Sequence, residues 1–237
     1  NVLVRKAEGI ETAGSLNILF SDKTGTITKG RLEVVEFFTG DGITIPLSEL
    51  PQHGKIKGLV DLAIGKNTQS MFDASGNVIG GNATDQALMK FLGPELFGKL
   101  ESSCTVTLSQ GFNSANKFSQ AYLGELKRTF YKGAPERLLN ASTKYLSLSG
   151  EEHPISLRAI NAKIDELASK SMRVLAFGYS QQQMTENKIN HDTVIIGFVG
   201  IRDDVRPEAR EAIAAVQGAG IQVVMITGDR LETAVAI

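Results

Sequence analysis

The chain has 237 residues, 42% hydrophobic and 22% charged, with 24 glycines, 6 prolines and a formal net charge of −1. That length allows one large domain or two small ones, and the near-zero charge argues against nucleic acid or an acidic membrane as the main partner. A single cysteine, Cys104, excludes a disulfide framework and a cysteine-based metal site; it points to a reducing compartment and a buried apolar thiol.

In chain order, residues 16–20 (LNILF) are a short, nearly continuous apolar run, the pattern of a strand buried on both faces of a parallel sheet. The run stops at Ser21 and Asp22, with Lys23, Thr24 and Gly25 next. Residues 39–42 (TGDG) read as the glycine turn of a hairpin. Helical patterns occupy 83–92 (ATDQALMKFL), 135–142 (PERLLNAS) and 156–170 (SLRAINAKIDELASK). Between the first two, residues 105–135 alternate apolar and polar side chains with turn residues interspersed, as antiparallel hairpins do. Residues 194–201 (VIIGFVGI) and 221–229 (IQVVMITGD) are further apolar runs. The stretch separating them, 206–220, has Pro207 suited to a helix's first turn and Gly218 or Gly220 to its end. This predicts a strand–helix–strand unit with a right-handed parallel crossover. No run approaches the roughly 18 apolar residues that span a bilayer, and there is no signal peptide, so the chain is expected to be soluble. Its last residues, DRLETAVAI, read as the opening of a helix, which predicts a fragment.

The economical organisation is an α/β domain split by an inserted α+β domain: residues 1–32 and 196–237 form the first, residues 33–195 the second. Asp22 then projects from the carboxyl end of its strand, where open α/β sheets bind ligands. The run 223–226 ends at Thr227, Gly228 and Asp229, and Asp203 follows the run 194–201. The reading therefore brings Asp22, Asp203 and Thr227 to one edge. Carboxylates and hydroxyls without histidine suit Mg²⁺, and an exposed aspartate can attack phosphorus. Gly25 and Gly228 allow backbone N–H groups to approach a phosphate. On spacing alone, an ordinary turn at residues 21–25 is the alternative.

SDKTGTIT (21–28) resembles the phosphorylation motif of the P-type ATPases. KGAPE (132–136) is similar to that family's nucleotide-domain signature and MITGD (225–229) to its next phosphorylation-domain motif, in the family's order. Residues 1–15 resemble the segment leading out of the fourth membrane helix in calcium-pump-like members. The resemblance implies a haloacid dehalogenase-like parallel sheet, incomplete here, interrupted by an inserted α+β nucleotide-binding domain with an antiparallel sheet. It also implies ATP and Mg²⁺ as cofactors. Asp22 would attack the γ-phosphate and become an aspartyl phosphate, with Lys23 beside it. Thr24 would give its backbone carbonyl to Mg²⁺, shared with Asp22, and its hydroxyl to the phosphoryl group. Thr227 would hold a phosphoryl oxygen while Gly228 and Asp229 shape the loop. Asp203 would reach the ribose or hold Arg206.

In the inserted domain, GFNSANKF (111–118) resembles the family's adenine-pocket strands, with Phe112 stacking on the base and Lys117 deeper in the pocket. Lys132 would line the same pocket, and Gly133, Ala134 and Pro135 would form its tight turn. In GNATDQAL (81–88), Asp85 would approach the adenine amino group, and Arg173 would contact the phosphates. Taken singly, a lone Phe is usually core and a lone Lys or Arg usually a solvated charge. The implied partners are an actuator domain, membrane helices of the same polypeptide and a transported cation bound outside this segment. The implied location is the cytoplasmic face of a membrane.

Departures are also visible. Ile27 stands for the usual Leu and Asn82 for the usual Glu, and residues 202–209 lack the paired prolines of animal calcium pumps, as a bacterial-type member would. The family's second lysine and its Gly-Asp-Gly-x-Asn-Asp segment do not follow, so ATP binding with little or no turnover is expected of this chain. His153, in EEHP (151–154), reads as a loop surface residue. Asn82 and Asn140 match glycosylation sequons that a cytosolic setting makes irrelevant. No Gly-rich loop ending in Gly-Lys-Ser/Thr exists, which excludes a P-loop enzyme. Two rival readings stand: a soluble haloacid dehalogenase-type phosphatase, disfavoured by Thr24 where those enzymes carry an acid, and a non-catalytic nucleotide-binding module.

Overall fold

The computed structural model describes residues 14–227, 234, 235 and 237. In chain order these form β1 (Ile18–Asp22), β2 (Thr28–Phe38), β3 (Thr44–Ile45), α1 (Gly54–Gly65), β4 (Ser70–Phe72), β5 (Val78–Gly80), α2 (Ala83–Leu92) and α3 (Pro94–Glu101). Then come β6 (Val106–Asn113), β7 (Phe118–Leu123), β8 (Arg128–Gly133), α4 (Pro135–Leu139), β9 (Ser142–Leu146), β10 (Glu152–Pro154), α5 (Leu157–Ser169), β11 (Arg173–Ser180), β12 (Thr193–Val205), α6 (Ala209–Gly218) and β13 (Gln222–Ile226). The chain divides into two units, one of Leu32–Arg202 and one of Asn1–Arg31 with Asp203–Ile237. Among the described residues no helix is long and apolar enough to cross a membrane.

The larger unit is built on a sheet of order β10-β9-β12-β11-β8-β7-β6, with β2 beside β12 and β3 beside β2. The pairs β10–β9, β12–β11, β11–β8, β8–β7, β7–β6 and β2–β3 are antiparallel, whereas β12 and β9 run parallel along Thr193–Ile195. Successive strand residues point to opposite faces, and the core divides accordingly. Phe37, Phe130, Phe177 and Val199 pack on one face with Ile56, Val60 and Ile64 of α1 and Leu88 and Met89 of α2. Their chain neighbours Phe38, Tyr131, Ala176 and Phe198 pack on the other with Leu138 of α4 and Ile160 and Leu167 of α5. Helices on both faces leave the central strands dry on both sides, and Phe38 and Phe198 stack at 4.7 Å between ring centres. Cys104 is buried in the first of these clusters.

Local signals explain several boundaries. The Asn82 side chain caps α2 by accepting from Asp85 N at 2.9 Å. Gly93, at φ 84°, ends α2, and Pro94 starts α3. Residues 39–42 form the turn between β2 and β3, with Gly42 at φ 83°. His153 is exposed, as a surface residue should be, but it lies in β10 and not in a loop.

Two expectations need correction. Residues 194–201 do form a strand dry on both faces, but β12 belongs to this large sheet and shares none with β13. A continuous apolar run reports burial on both faces, and a central strand of a sheet with helices on both faces satisfies it whatever its direction. The strand–helix–strand unit of 194–226 therefore does not form. In the smaller unit, β1 pairs with β13 in a parallel two-stranded sheet, with α6 leading into β13. Here β1 is not buried: Ile18, Leu19 and Phe20 are exposed, Phe20 to 62%. The helix α6 packs against β13, and the residue it buries is Ala209.

Candidate functional site

The larger unit holds a cleft of about 360 Å³ between the end of α1, α2, α3 and β6, lined among others by Asn67, Gln69, Asp85, Ser109, Phe112 and Ser119. The volume is in the range of small-molecule sites. Phe112 is half exposed, unlike a core phenylalanine, so its ring presents a face to whatever enters. It comes from a distorted strand. In the β6–β7 ladder Gln110 faces Gln120 and Asn113 faces Phe118, so β6 carries one residue more than β7 over this stretch. The bulge breaks the alternation of faces, and Gln110, Gly111 and Phe112 all line the same cleft.

At the back of the cleft lies a buried ion pair. The Lys132 ammonium donates to Asp85 Oδ1 at 2.5 Å and to the carbonyl of Asn67 at 2.6 Å. Both charged side chains are about 95% buried, at 5% and 6% exposure. Burial pushes the Lys132 ammonium below its ordinary value, and the charge and hydrogen bond of Asp85 pull against that. Lys132 is not itself a lining residue, contrary to the sequence-based expectation. Its ammonium is drawn inward by two acceptors, whereas Asp85, like Lys66 and Glu101, lines the cleft. Asn67 is part of this frame too, because its side-chain amide donates to Ser119 O at 3.1 Å and Phe130 O at 3.4 Å, tying β7 to β8. Neither Asn67 nor Gln69 is visible in a motif.

Gly133 follows Lys132 and is the last residue of β8. A Cβ there would sit 2.6 Å from Lys117 O and 2.8 Å from Phe118 Cα, so the neighbouring backbone leaves no room for a side chain. Lys117 lies outside the cleft: it is half exposed, adopts φ 61° and pairs with Glu136 at 3.3 Å. Left-handed φ in the turn between β6 and β7 turns its side chain toward α4. Arg173 opens β11 and is exposed, also outside the lining residues.

In the smaller unit, Asp22 is the last residue of β1 and is exposed. The parallel register sets it opposite Ile226, so Thr227 follows at the same edge, as expected. Lys23–Ile27 makes a tight turn with Gly25 at φ 80°, a conformation suited to glycine. The Lys23 side chain is buried and the Thr24 backbone is extended. Thr28, fully buried, fixes the turn from below: its hydroxyl accepts from Gly25 N at 3.2 Å and donates to Asp203 Oδ2 at 2.5 Å. Asp203 also accepts from Arg31 N at 3.2 Å.

Asp203 therefore lies within β12 and serves this turn, not an open sheet edge, and it does not hold Arg206. Its carboxylate is buried and already bonded, while Arg206 spends its guanidinium on the turn's carbonyls. Those bonds run to Gly25 O at 2.9 Å and Thr28 O at 3.2 Å. The effect is a turn after Asp22 clamped by a carboxylate and a guanidinium. Thr28→Val keeps the shape but leaves Asp203 short of its hydroxyl donor. It should cost about 2 kcal/mol, as hydrogen bonds to charged groups do, read as a lower denaturant midpoint. Gly228 and Asp229 lie outside the described residues.

Among the described residues no group of three or more acidic, histidine or cysteine side chains gathers as a metal cluster. Residues 60–208 match the family described as P-type ATPase, cytoplasmic domain N. Over its whole length the chain is 33% identical to "Calcium-transporting ATPase 7, plasma membrane-type" of Oryza sativa subsp. japonica, covering 24% of that protein. It is 29% identical over its whole length to a calcium-transporting ATPase of Listeria monocytogenes, covering 28% of it. A calcium-transporting ATPase of Dictyostelium discoideum is 33% identical over 99% of the chain, which covers 22% of that protein. The chain thus spans about a quarter of the length of these relatives.

Proposed function

The chain belongs to the P-type ATPase cytoplasmic domain N family, and on that premise we propose that its cleft binds the base of ATP and that Asp22 accepts the γ-phosphoryl group. The observation that carries the reading is the juxtaposition of an exposed aromatic face, Phe112, with a carboxylate at the wall, Asp85, whose charge a buried lysine balances. Adenine stacks on Phe112 and its amino edge approaches Asp85. Lys117 and Arg173 are exposed cations suited to the triphosphate, and Gly133 keeps the chain beside Lys132 tight.

The carboxylate of Asp22 forms a bond to the γ-phosphorus as the β–γ bridging bond breaks, and ADP departs with the electron pair. Around it the turn is clamped, so Lys23 and Thr24 are held for the phosphoryl group, and in this reading Thr227, Gly228 and Asp229 complete its surroundings. Asp203 and Arg206 act as positioning residues for that turn, the roles their hydrogen bonds support. The Asp22 carboxylate and the Thr24 carbonyl are hard oxygen donors of the kind Mg²⁺ takes, and they would hold it. When bound, that ion neutralises charge on the phosphates.

The smaller unit, Asn1–Arg31 with Asp203–Ile237, then belongs to a phosphorylation domain of haloacid dehalogenase type, and the larger, Leu32–Arg202, to the nucleotide-binding domain. The parent is a membrane pump with its nucleotide site on the cytoplasmic face, further actuator and membrane-spanning parts, and calcium as its cargo, in keeping with the names of the relatives.

Titrating the chain with ATP and Mg²⁺ by calorimetry or amide shifts tests the cleft. Saturable binding is expected, and Phe112→Ala should weaken it about 10-fold, within the roughly 1–3 kcal/mol of a base–aromatic stack. A folded chain that ignores ATP, or a Phe112→Ala variant that binds as well as the parent chain, would sink the reading.

A further inference from the structure

Stacking on Phe112 accepts any base, because every base has a π face, and Asp85 can only accept a hydrogen bond. Adenine is distinguished from hypoxanthine or guanine by a donor at N6 next to an acceptor at N7, a pattern that a carboxamide matches with its own acceptor and donor. One carboxamide in the cleft is held beside Phe112 without an internal partner. Gln69 lines the cleft from the segment between α1 and β4, and among the described residues its amide makes no hydrogen bond. Its position is set by Gly111. A Cβ built on Gly111 would fall 2.4 Å from Gln69 Nε2 and 3.0 Å from its Cδ, so the amide rests directly on the glycine. The next residue of β6 is Phe112, brought to the same side by the bulge.

We propose that Gln69 is the base-reading residue of this site: its amide accepts from the N6 amino group and donates to N7 of a purine stacked on Phe112, so that it sets the preference for adenine nucleotides. The inference rests on the ATP reading of the cleft. It gives the adjacent glycine a purpose, since any side chain at position 111 would push the amide off its seat. It also separates two tasks, with Phe112 supplying affinity and Gln69 discrimination. A 6-oxopurine presents two acceptors at O6 and N7, which a glutamine cannot satisfy together and a longer cation can.

The test is a competition between ATP and ITP, the latter carrying oxygen in place of the N6 amino group, for the whole chain and for Gln69→Leu, Gly111→Ala and Phe112→Ala. The wild-type chain should prefer ATP about 10-fold, the scale of one bidentate base contact. Gln69→Leu should lose most of that preference while still binding both nucleotides, and Gly111→Ala should do the same with Gln69 intact. Phe112→Ala should weaken both nucleotides equally. A Gln69→Leu variant that binds and keeps the full preference overturns this inference alone. A wild-type chain that binds neither nucleotide overturns the ATP reading and this inference with it.

Discussion

Lys132→Ala should destabilise the larger unit by about 3–5 kcal/mol, because breaking a buried ion pair strands its partner. Asp85 has 6% side-chain exposure and would be left with a charge that little water reaches and the protein no longer balances. The Asn67 carbonyl loses its donor at the same time. Stability and function are separable here. Lys132→Met combined with Asp85→Leu removes both charges and refills the space, and should recover most of the stability, since apolar replacements of buried pairs are often neutral or better. The double variant should nevertheless bind ATP poorly, because the cleft wall no longer carries the Asp85 carboxylate for the amino edge of the base. Denaturant midpoints and ATP titrations on the two proteins check this. A Lys132→Ala chain as stable as the parent would mean that the pair contributes nothing; a double variant with normal ATP affinity would remove Asp85 from recognition.

Gly133→Ala is the second large effect, and its cause is steric. The added carbon would lie 2.5 Å from Phe118 Cβ, 2.6 Å from Lys117 O and 2.8 Å from Phe118 Cα. Two of those three atoms are backbone, and Lys117 O is also the acceptor for Ala134 N at 2.9 Å, so a side-chain rotation cannot relieve the contact. The end of β8 has to separate from β7. We expect a loss of about 3 kcal/mol, the upper end for overpacking. The amide resonances of residues 117, 118 and 132 should move with it. Gly98→Ala is the matched control: in α3 a Cβ meets nothing within 4 Å, and the change should stabilise by about 0.5–1 kcal/mol, the helix preference for alanine. Equal effects of the two substitutions would show that crowding at Gly133 does not decide stability.

Much of the larger unit can be read from its residues where a local rule acts. The helix at 83–92 announces itself through Asn82, which caps it, and Gly93, which ends it. The hairpins of β6, β7 and β8 are legible from alternation. Helix α1 is not, because His53 at its start makes no side-chain cap and its apolar residues are interleaved with glycines and lysines. The β4–β5 hairpin is hidden for another reason: its turn depends on one side chain, Asp73, whose Oδ1 accepts from both Ser75 N and Asn77 N at 2.8 Å. Residues 194–201 betray burial but not sheet membership, because hydrophobicity records which faces are dry and not which strand lies alongside.

In the cleft, Asp85, Phe112 and Lys132 are accessible through motifs, whereas Asn67 and Gln69 are not. Asn67 acts partly through its backbone carbonyl, which every residue type possesses. Gln69 depends on the absence of a side chain at Gly111, a residue far away in sequence. The burial that pushes Lys132 down likewise belongs to the packed unit and not to any short stretch of chain.

Strand β6 has eight residues against six in β7, and the surplus enters at two places, between Val106 and Leu108 and between Gln110 and Asn113. Each surplus residue is absorbed opposite β7, so the side chains on either side keep the faces that their β7 partners set. Deleting one residue at either place would straighten the strand there without turning its paired neighbours over, but at the second place it would remove the irregularity that brings Gln110, Gly111 and Phe112 to one cleft. Length can thus vary inside this strand, where variation is ordinarily confined to loops, and at the second place the variation is tied to the cleft.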